Sequence, residues 1–539
     1  MKFSEVLVTH FVLFRAARLF KLGEMNRNLT GIFTFFVSLL TASAAQPPNI
    51  VFIFSDDHAW QAISAYGSNR NQTPNIDRLA SEGMRFDRCL VTNSICGPSR
   101  ATILTGKYPH INGFIDNTTC VFDGSQETFP KLLQEASYQT ALIGKWHLGS
   151  EPTGFDHWQI LPSQGAYYNP KMFLNGEKTR EMGYVTDIVT DLSLEWLSEK
   201  RDPSKPFLLM CQHKAPHRNW SPDVAKLNHD EGRTYPEPET LFDDYSGRGL
   251  GEKNQDMTIA KTMHSGDMKL KTGTTIPKNV RDQWNAYYQT RNEEFIGNLI
   301  TDKLDEKEII RWKYQRYMHD YLACIASVDD NVGRVLDYLK ENDLEENTIV
   351  VYSSDQGFFL GEHGWFDKRW IYEESLRTPL IIKWPGMVKP GSVNKDIVSN
   401  LDFAETFLDA AGLSVPEEMQ GASLLPLLQG TTPSDWRKSF YYHFYAFPAY
   451  HSVPRHYGVI TDRYKLMHAY KPYDYWQLFD RQEDPHELTS FYEDSSYAKT
   501  RETLEAELAR LRTELQVTEK DPEGNRKNPA PHIKVLPKY

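Results

Sequence analysis

From Pro48 onward the chain alternates short, unbroken apolar runs with longer stretches whose apolar residues recur every three or four positions. Residues 49–54 (NIVFIF) show no polar alternation, the pattern of a strand covered on both faces. Runs of the same kind follow at 140–143, 206–211, 348–352 and 379–382. The clearest helical stretch is about 311–340, where Tyr314, Tyr317, Tyr321, Ile325, Val328, Val332, Val335 and Leu339 share one face. Strand and helix in alternation predict a mostly parallel, doubly wound α/β domain. In such a sheet the ligand site forms beyond the carboxyl ends of the strands.

The texture changes twice. Residues of about 220–310 are polar and poor in apolar runs, and read as a surface insertion over the active face. From about 435 aromatic strands take over, at 440–445, 457–460, 464–469 and 475–479, before a helix at about 499–515 and a tail. This predicts a large domain over 46–434 and a smaller antiparallel α+β domain over 435–539. Ahead of both, the apolar segment GIFTFFVSLL at 31–40 follows Arg27 and runs into ASAA at 42–45. That is the form of an export signal over 1–45, with Met25 a second candidate start. The segment is too short to span a bilayer, and no cysteine follows it to take a lipid. The expected destination is the periplasm, the cell surface or the medium.

Composition narrows the partners. A chain of 539 residues with 40% hydrophobic content buries a large core. Its net charge of −12 argues against nucleic acid or broad attraction to polyanions, so anion recognition requires a local cationic pocket. Five cysteines are too few for a disulfide scaffold, and the odd count leaves one unpaired, for which Cys96 is the candidate.

The strongest chemical signal is CGPSR at 96–100. Pro98 suits a first helical turn and Gly106 its end, which puts Cys96 at a helix N-terminus, where the dipole favours an anionic nucleophile, and Arg100 one turn later on the same side. Asp56 and Asp57 follow the first buried strand, and Asp355 and Gln356 follow another. Four oxygen donors from two strand ends suit calcium better than zinc, which favours His and Cys. Lys145 and His147 follow a third strand; His213 and His217 follow a fourth; Lys368 lies between Asp367 and Arg369.

Cys-x-Pro-Ser-Arg is the signature of the type I sulfatases, and the chain resembles that family from Asn49 to about Pro385 and again at 457–466 and 478–487. The resemblance implies an alkaline-phosphatase-like fold and oxidation of Cys96 to Cα-formylglycine by a maturation enzyme, the hydrate of which attacks sulfur. It further implies a calcium ion held by Asp56, Asp57, Asp355, Gln356 and residue 96. Arg100, Lys145 and Lys368 would bind sulfate oxygens, and His147 would orient the hydrate. His217 is favoured over His213 to protonate the leaving alkoxide, with His213 at the substrate. The blocks at 93–100, 212–220 and 361–369 look like those of exported bacterial N-acetylglucosamine-6-sulfatases acting on glycosaminoglycan or mucin sugars. On that analogy Asp367 and Arg369 bind sugar hydroxyls, Trp365 packs on the ring, and His451 or His456 enters from the C-terminal domain. Rival readings are a formylglycine-dependent phosphonate monoester hydrolase and, from another class, a non-catalytic polysaccharide-binding protein. The two-zinc phosphatases of the superfamily typically use Thr or Ser and several His ligands.

Overall fold

The computed structural model describes residues 47–272 and 276–538. The export signal expected over 1–45 lies outside them. The main sheet has 11 strands. At its centre Thr348–Ser354, Asn49–Ser55, Phe207–Gln212, Gln139–Lys145 and His157–Leu161 lie side by side and parallel. Arg377–Lys383 runs antiparallel between Thr348–Ser354 and Met84–Leu90, so the sheet is mixed at that side.

Alternate residues of the first strand enter different cores. Val51 and Ile53 pack into one cluster, while Ile50, Phe52 and Phe54 pack into another. This is why the strand reads as an unbroken apolar run: both faces are covered, so neither parity of side chain meets water. The helix Glu306–Glu341 closes one face, and its predicted stripe from Tyr314 to Leu339 is buried there. Asp305 caps that helix, with Glu308 completing a capping box, so it starts about two turns ahead of the apolar stripe that revealed it.

The polar stretch of 220–310 is more ordered than its composition implies. It contains the helix Lys278–Ile300, which buries only Val280, Trp284, Tyr288 and Phe295, too sparse a set to stand out in sequence. Phe295 stacks on Trp312, and Arg316 covers Trp312 and Tyr288.

The smaller sheet is antiparallel, in the order Phe440–Phe444, Arg455–Ile460, Tyr464–Lys471 and Tyr475–Asp480. The helix Ala498–Glu514 seals one face with Leu504, Leu508 and Leu511. Beyond it the tail runs back over the large sheet. Glu151 N donates to Lys534 O and Leu536 N to Gly149 O. All five cysteines are buried and unbridged. No helix among the described residues is long and apolar enough to cross a membrane.

Candidate active site

Four neighbouring parallel strands end on one edge of the sheet, and each delivers site residues. Asp56 and Asp57 follow Asn49–Ser55; Asp355 and Gln356 follow Thr348–Ser354; Lys145 ends Gln139–Lys145, with His147 just beyond; Lys214 and His217 follow Phe207–Gln212. The helix Cys96–Thr105, fully buried, begins where the segment after Met84–Leu90 reaches the same edge. Above it lies a cavity of about 720 Å³, of a size for a small saccharide. Asp57, Cys96, His147, Lys214, His217 and Lys368 line its lower part; Asp367, Arg369, Tyr450 and His451 line another wall.

At and beneath the cavity floor three carboxylates meet three cations. Lys145 Nζ contacts Asp56, Lys368 Nζ contacts Asp57, and Arg100 Nη2 lies 3.0 Å from Asp355 Oδ2. Arg100 is more fully committed than the sequence suggested. Its Nε also reaches Asp355 at 3.2 Å, and Nη1 reaches the Lys145 carbonyl at 2.9 Å and Gln212 Oε1 at 2.7 Å. Its guanidinium also covers the Phe54 ring. Arg100 thus clasps the ends of three strands together. Lys145, fully buried between Asp56 and Gln164, stands at the same depth.

One oxygen each of Asp56, Asp57 and Asp355 can meet within 4.8 Å. Asp56 Oδ1, Asp57 Oδ2 and Gln356 Oε1 are buried with no hydrogen-bond partner among the described residues. Buried orphan carboxylate oxygens are costly unless something positive satisfies them. An all-oxygen donor set of this kind fits a hard divalent cation. Burial pushes Asp57 up to about 7 even though Lys368 opposes it, the mark of a carboxylate short of positive charge.

Burial also pushes the Cys96 thiol up to about 12, with Lys368 opposing. A thiolate is therefore not the species held here, despite the helix N-terminus. His217 Nδ1 faces the Arg218 carbonyl at 2.7 Å and must be the donor, which leaves Nε2, 3.7 Å from Asp57 Oδ2, turned toward the cavity. Burial, then Lys145, Lys214 and Lys368, hold His217 well below the usual imidazole range.

The other wall is built by unusual backbone. Asp367 and Arg369 have φ of 78° and 95°, and His451 has 73°; Asp57 and His147, at 65° and 59°, share this left-handed conformation. Non-glycine residues seldom adopt it, and the strain collects where side chains must be aimed rather than packed. His451 Nε2 lies 3.0 Å from Asp367 Oδ2, and Arg369 Nη2 lies 3.4 Å from the same oxygen. Although burial raises it, Arg369, Lys368 and His451 hold Asp367 well below the usual carboxylate range.

Three expected substrate contacts are corrected. Trp365 is fully buried, stacked between Trp370 and Tyr245 at 5.7 and 5.5 Å, and has no face to offer a sugar. His456 is buried against Trp370, Tyr442 and Phe444, with Nδ1 on the Pro454 carbonyl. His213 lies in the core beside Cys211, 3.7 Å from its sulfur.

Sequence reasoning passed over Asn117, Lys214 and Tyr450. Lys214 sits inside the histidine motif and was legible there. It is 3% exposed, lies over the Tyr167 ring, and has no carboxylate at ion-pair distance among the described residues. Tyr450, 79% exposed, is the aromatic that stands at the cavity mouth in place of Trp365.

A buried nucleophile position on a helix N-terminus, set among strand-end carboxylates and lysines, defines a hydrolase of the sulfatase class. The chain belongs to the sulfatase family. The family model described as Sulfatase matches residues 48–413, and that described as N-sulphoglucosamine sulphohydrolase, C-terminal, matches 361–514. It is accordingly a sulfate ester hydrolase. The N-acetylglucosamine-6-O-sulfatase of Bacteroides thetaiotaomicron is 48% identical over 531 residues, 93% of each chain. The N-acetylglucosamine-6-sulfatase of Capra hircus is 29% identical over 424 residues, 74% of this chain and 66% of that one. A solved structure of a protein in complex with its substrate D-glucosamine-2-N,6-O-disulfate shows a TM-score of 0.86 at 49% identity, covering 88% of this chain and 99% of that one.

Proposed function

We propose that this protein removes the 6-O-sulfate of glucosamine-type sugars from glycosaminoglycan or mucin glycans, with Cys96 converted to formylglycine and calcium held by Asp56, Asp57, Asp355 and Gln356. The observation that carries the substrate is the wall formed by Asp367, Arg369 and His451, a hydrogen-bonding trio aimed into the cavity beside the Cys96 centre. Likeness to a relative of that activity, at 48% identity, supports it.

Formylglycine at position 96 supplies, as its hydrate, the hydroxyl that attacks sulfur. Calcium supplies two positive charges where three carboxylates otherwise just balance Arg100, Lys145 and Lys368. The rest falls to side chains. Lys368 and Lys214 face the sulfate oxygens, whose charge grows as the ester bond breaks. His147 borders residue 96 and orients it. Burial and then the three lysines hold His217 low; the negative charge of a bound sulfate ester opposes the lysines and favours a proton on Nε2, which passes to the departing sugar oxygen. Asp367, Arg369 and His451 fix the ring, and Tyr450 closes over it at the mouth. The export signal expected over 1–45 supports action outside the cytoplasm, on glycans that reach the periplasm or cell surface.

Sulfate release from a panel of defined sulfated monosaccharides tests the assignment. N-acetylglucosamine 6-sulfate or glucosamine-2-N,6-O-disulfate should be cleaved in preference to other positional isomers, and preference for another isomer would sink it. Mass spectrometry of the peptide bearing residue 96, made in the native host, tests the modification. Arg369→Ala is expected to lower kcat/KM on the sugar sulfate by about 100-fold while changing turnover of an aryl sulfate little, since a hydrogen bond to a charged group contributes about 1.5–3 kcal/mol. Equal loss on both substrates would rule out a sugar-reading role.

Lys214→Met keeps a side chain of similar length but removes the ammonium that lies over Tyr167. It should lower kcat/KM for both kinds of substrate by about 10- to 100-fold. Unchanged kinetics would show that this ammonium does not meet the sulfate.

A further inference from the structure

The helix that carries Cys96 begins without a cap of its own. Its N-cap is Ile95, which has no side-chain acceptor, so its first N–H groups must find partners elsewhere. Asn117 supplies one: its Oδ1 accepts from Gly97 N at 3.0 Å. The approach is close enough that a Cβ at position 97 would collide with Asn117 Oδ1 and the Phe114 ring, so glycine beside Cys96 is what lets Asn117 in. Because Oδ1 is committed to Gly97, the amide NH₂ of Asn117 is left as a donor, and the side chain lines the cavity.

The loop carrying Asn117 is clamped from two sides. Asp116 turns it from within, accepting from Thr118 N and Thr119 N at 2.7 and 2.6 Å. From outside comes the C-terminal tail. Arg526 N donates to Thr119 O at 2.7 Å, and its guanidinium reaches Cys120 O at 2.6 Å and Asn117 O at 3.3 Å. Asn525 completes a two-way pair with Val121, giving Nδ2 to its carbonyl at 2.9 Å and taking its N–H at 2.7 Å. Gly524 passes so close that a Cβ there would strike Thr119. The same tail then binds Gly149 and Glu151, just past His147. Backbone groups of two cavity walls are thus satisfied by one terminal segment.

We propose that residues 524–536 form a strap that sets the active site from outside: by holding the Asn117 loop it fixes Asn117 across Gly97 N–H, aligns residue 96, and aims the Asn117 amide at the substrate. Asn117 and Arg526 are positioning residues. The kinetic part of this inference rests on the sulfatase reading; the structural part does not.

The test is a double-mutant cycle read twice, on the full-length protein. In kinetics on the sugar sulfate, Asn117→Ala should lower kcat/KM by about 10- to 100-fold, mostly in kcat, the scale of loss caused by slight misplacement of a reacting group. Arg526→Ala, remote from substrate, should lower it about 10-fold, yet have almost no effect when added to Asn117→Ala, because both act through one contact. In hydrogen exchange, Arg526→Ala should speed exchange in peptides covering 116–121 and 95–105 while leaving the C-terminal sheet at 440–480 as in wild type. Full additivity of the two kinetic losses would overturn the proposal, as would unchanged exchange at 95–105 in Arg526→Ala. If wild type releases no sulfate from any ester, the functional reading fails, and the exchange data still decide the strap.

Discussion

Cys96→Ala is expected to abolish sulfate release, by at least about 10⁴-fold, while leaving the thermal midpoint within a few degrees of wild type. The size follows from placement. Residue 96 lines the cavity floor between His147, His217 and Lys368, and none of these neighbours offers a substitute nucleophile. The small effect on stability follows from the helix, whose first turn is held by Gly97 and Ser99 backbone bonds rather than by the Cys96 side chain. The same geometry says what an unmodified cysteine is worth. Burial pushes its thiol up to about 12, so in the metal-free site the neutral thiol, a poor nucleophile, prevails near neutrality. Protein made without the maturation enzyme should therefore fold and bind substrate, yet turn over as poorly as the alanine variant. Substantial hydrolysis by protein whose residue 96 is shown by mass to be plain cysteine would refute this account.

Asp57→Asn should nearly match that loss by a different route. Asp57 faces Lys368 with one oxygen and leaves the other unpaired toward the proposed cation. Removing its charge should weaken calcium binding by at least about 100-fold, since even outer partners of metal ligands cost 10- to 100-fold when lost. It also leaves Lys368 buried with only Asp367, 3.7 Å away, as counter-ion, which should cost up to about 3 kcal/mol in metal-free protein. A strong chelator should silence the wild type, and calcium should restore it. Titration calorimetry with calcium, run beside activity, checks both halves. Full activity after exhaustive chelation would remove the cation from the account, and wild-type calcium affinity in Asp57→Asn would remove Asp57 from its site.

How far the sequence could be read depended on whether a residue's role was local. The central strands announced themselves because burial on both faces leaves an unbroken apolar run, and the long helix because its stripe from Tyr314 to Leu339 repeats for about seven turns. The helix Lys278–Ile300 was silent, since four buried side chains over 23 residues give almost no period. The Cys96 signature and the strand-end acids were legible because each sits in a short motif. Trp365 is placed at the sugar by analogy with related motifs, and the local backbone explains why the analogy fails. Two residues before Asp367, it should share a face with it in an extended strand. The left-handed turn at Asp367, with φ of 78°, breaks that alternation, so Asp367 enters the cavity while Trp365 turns into the aromatic core. Asn117 had no motif at all. Its meaning comes from a contact with Gly97 and a clamp more than four hundred positions along the chain, neither of which leaves a local trace.

The wall proposed to read the sugar has a separate origin from the floor proposed to do the chemistry. The floor is made by the ends of adjoining strands in one large sheet, tied together by Arg100, and a change to any part of it is felt by all. The wall is two irregular segments, one at 366–369 and one between the first two strands of the small sheet, joined where His451 meets Asp367 and the Phe366 ring. Loops of that kind can lengthen, shorten or exchange residues without disturbing the strands beneath. Descendants of this chain can thus change diet, from one sulfated sugar to another, while inheriting their reaction unaltered.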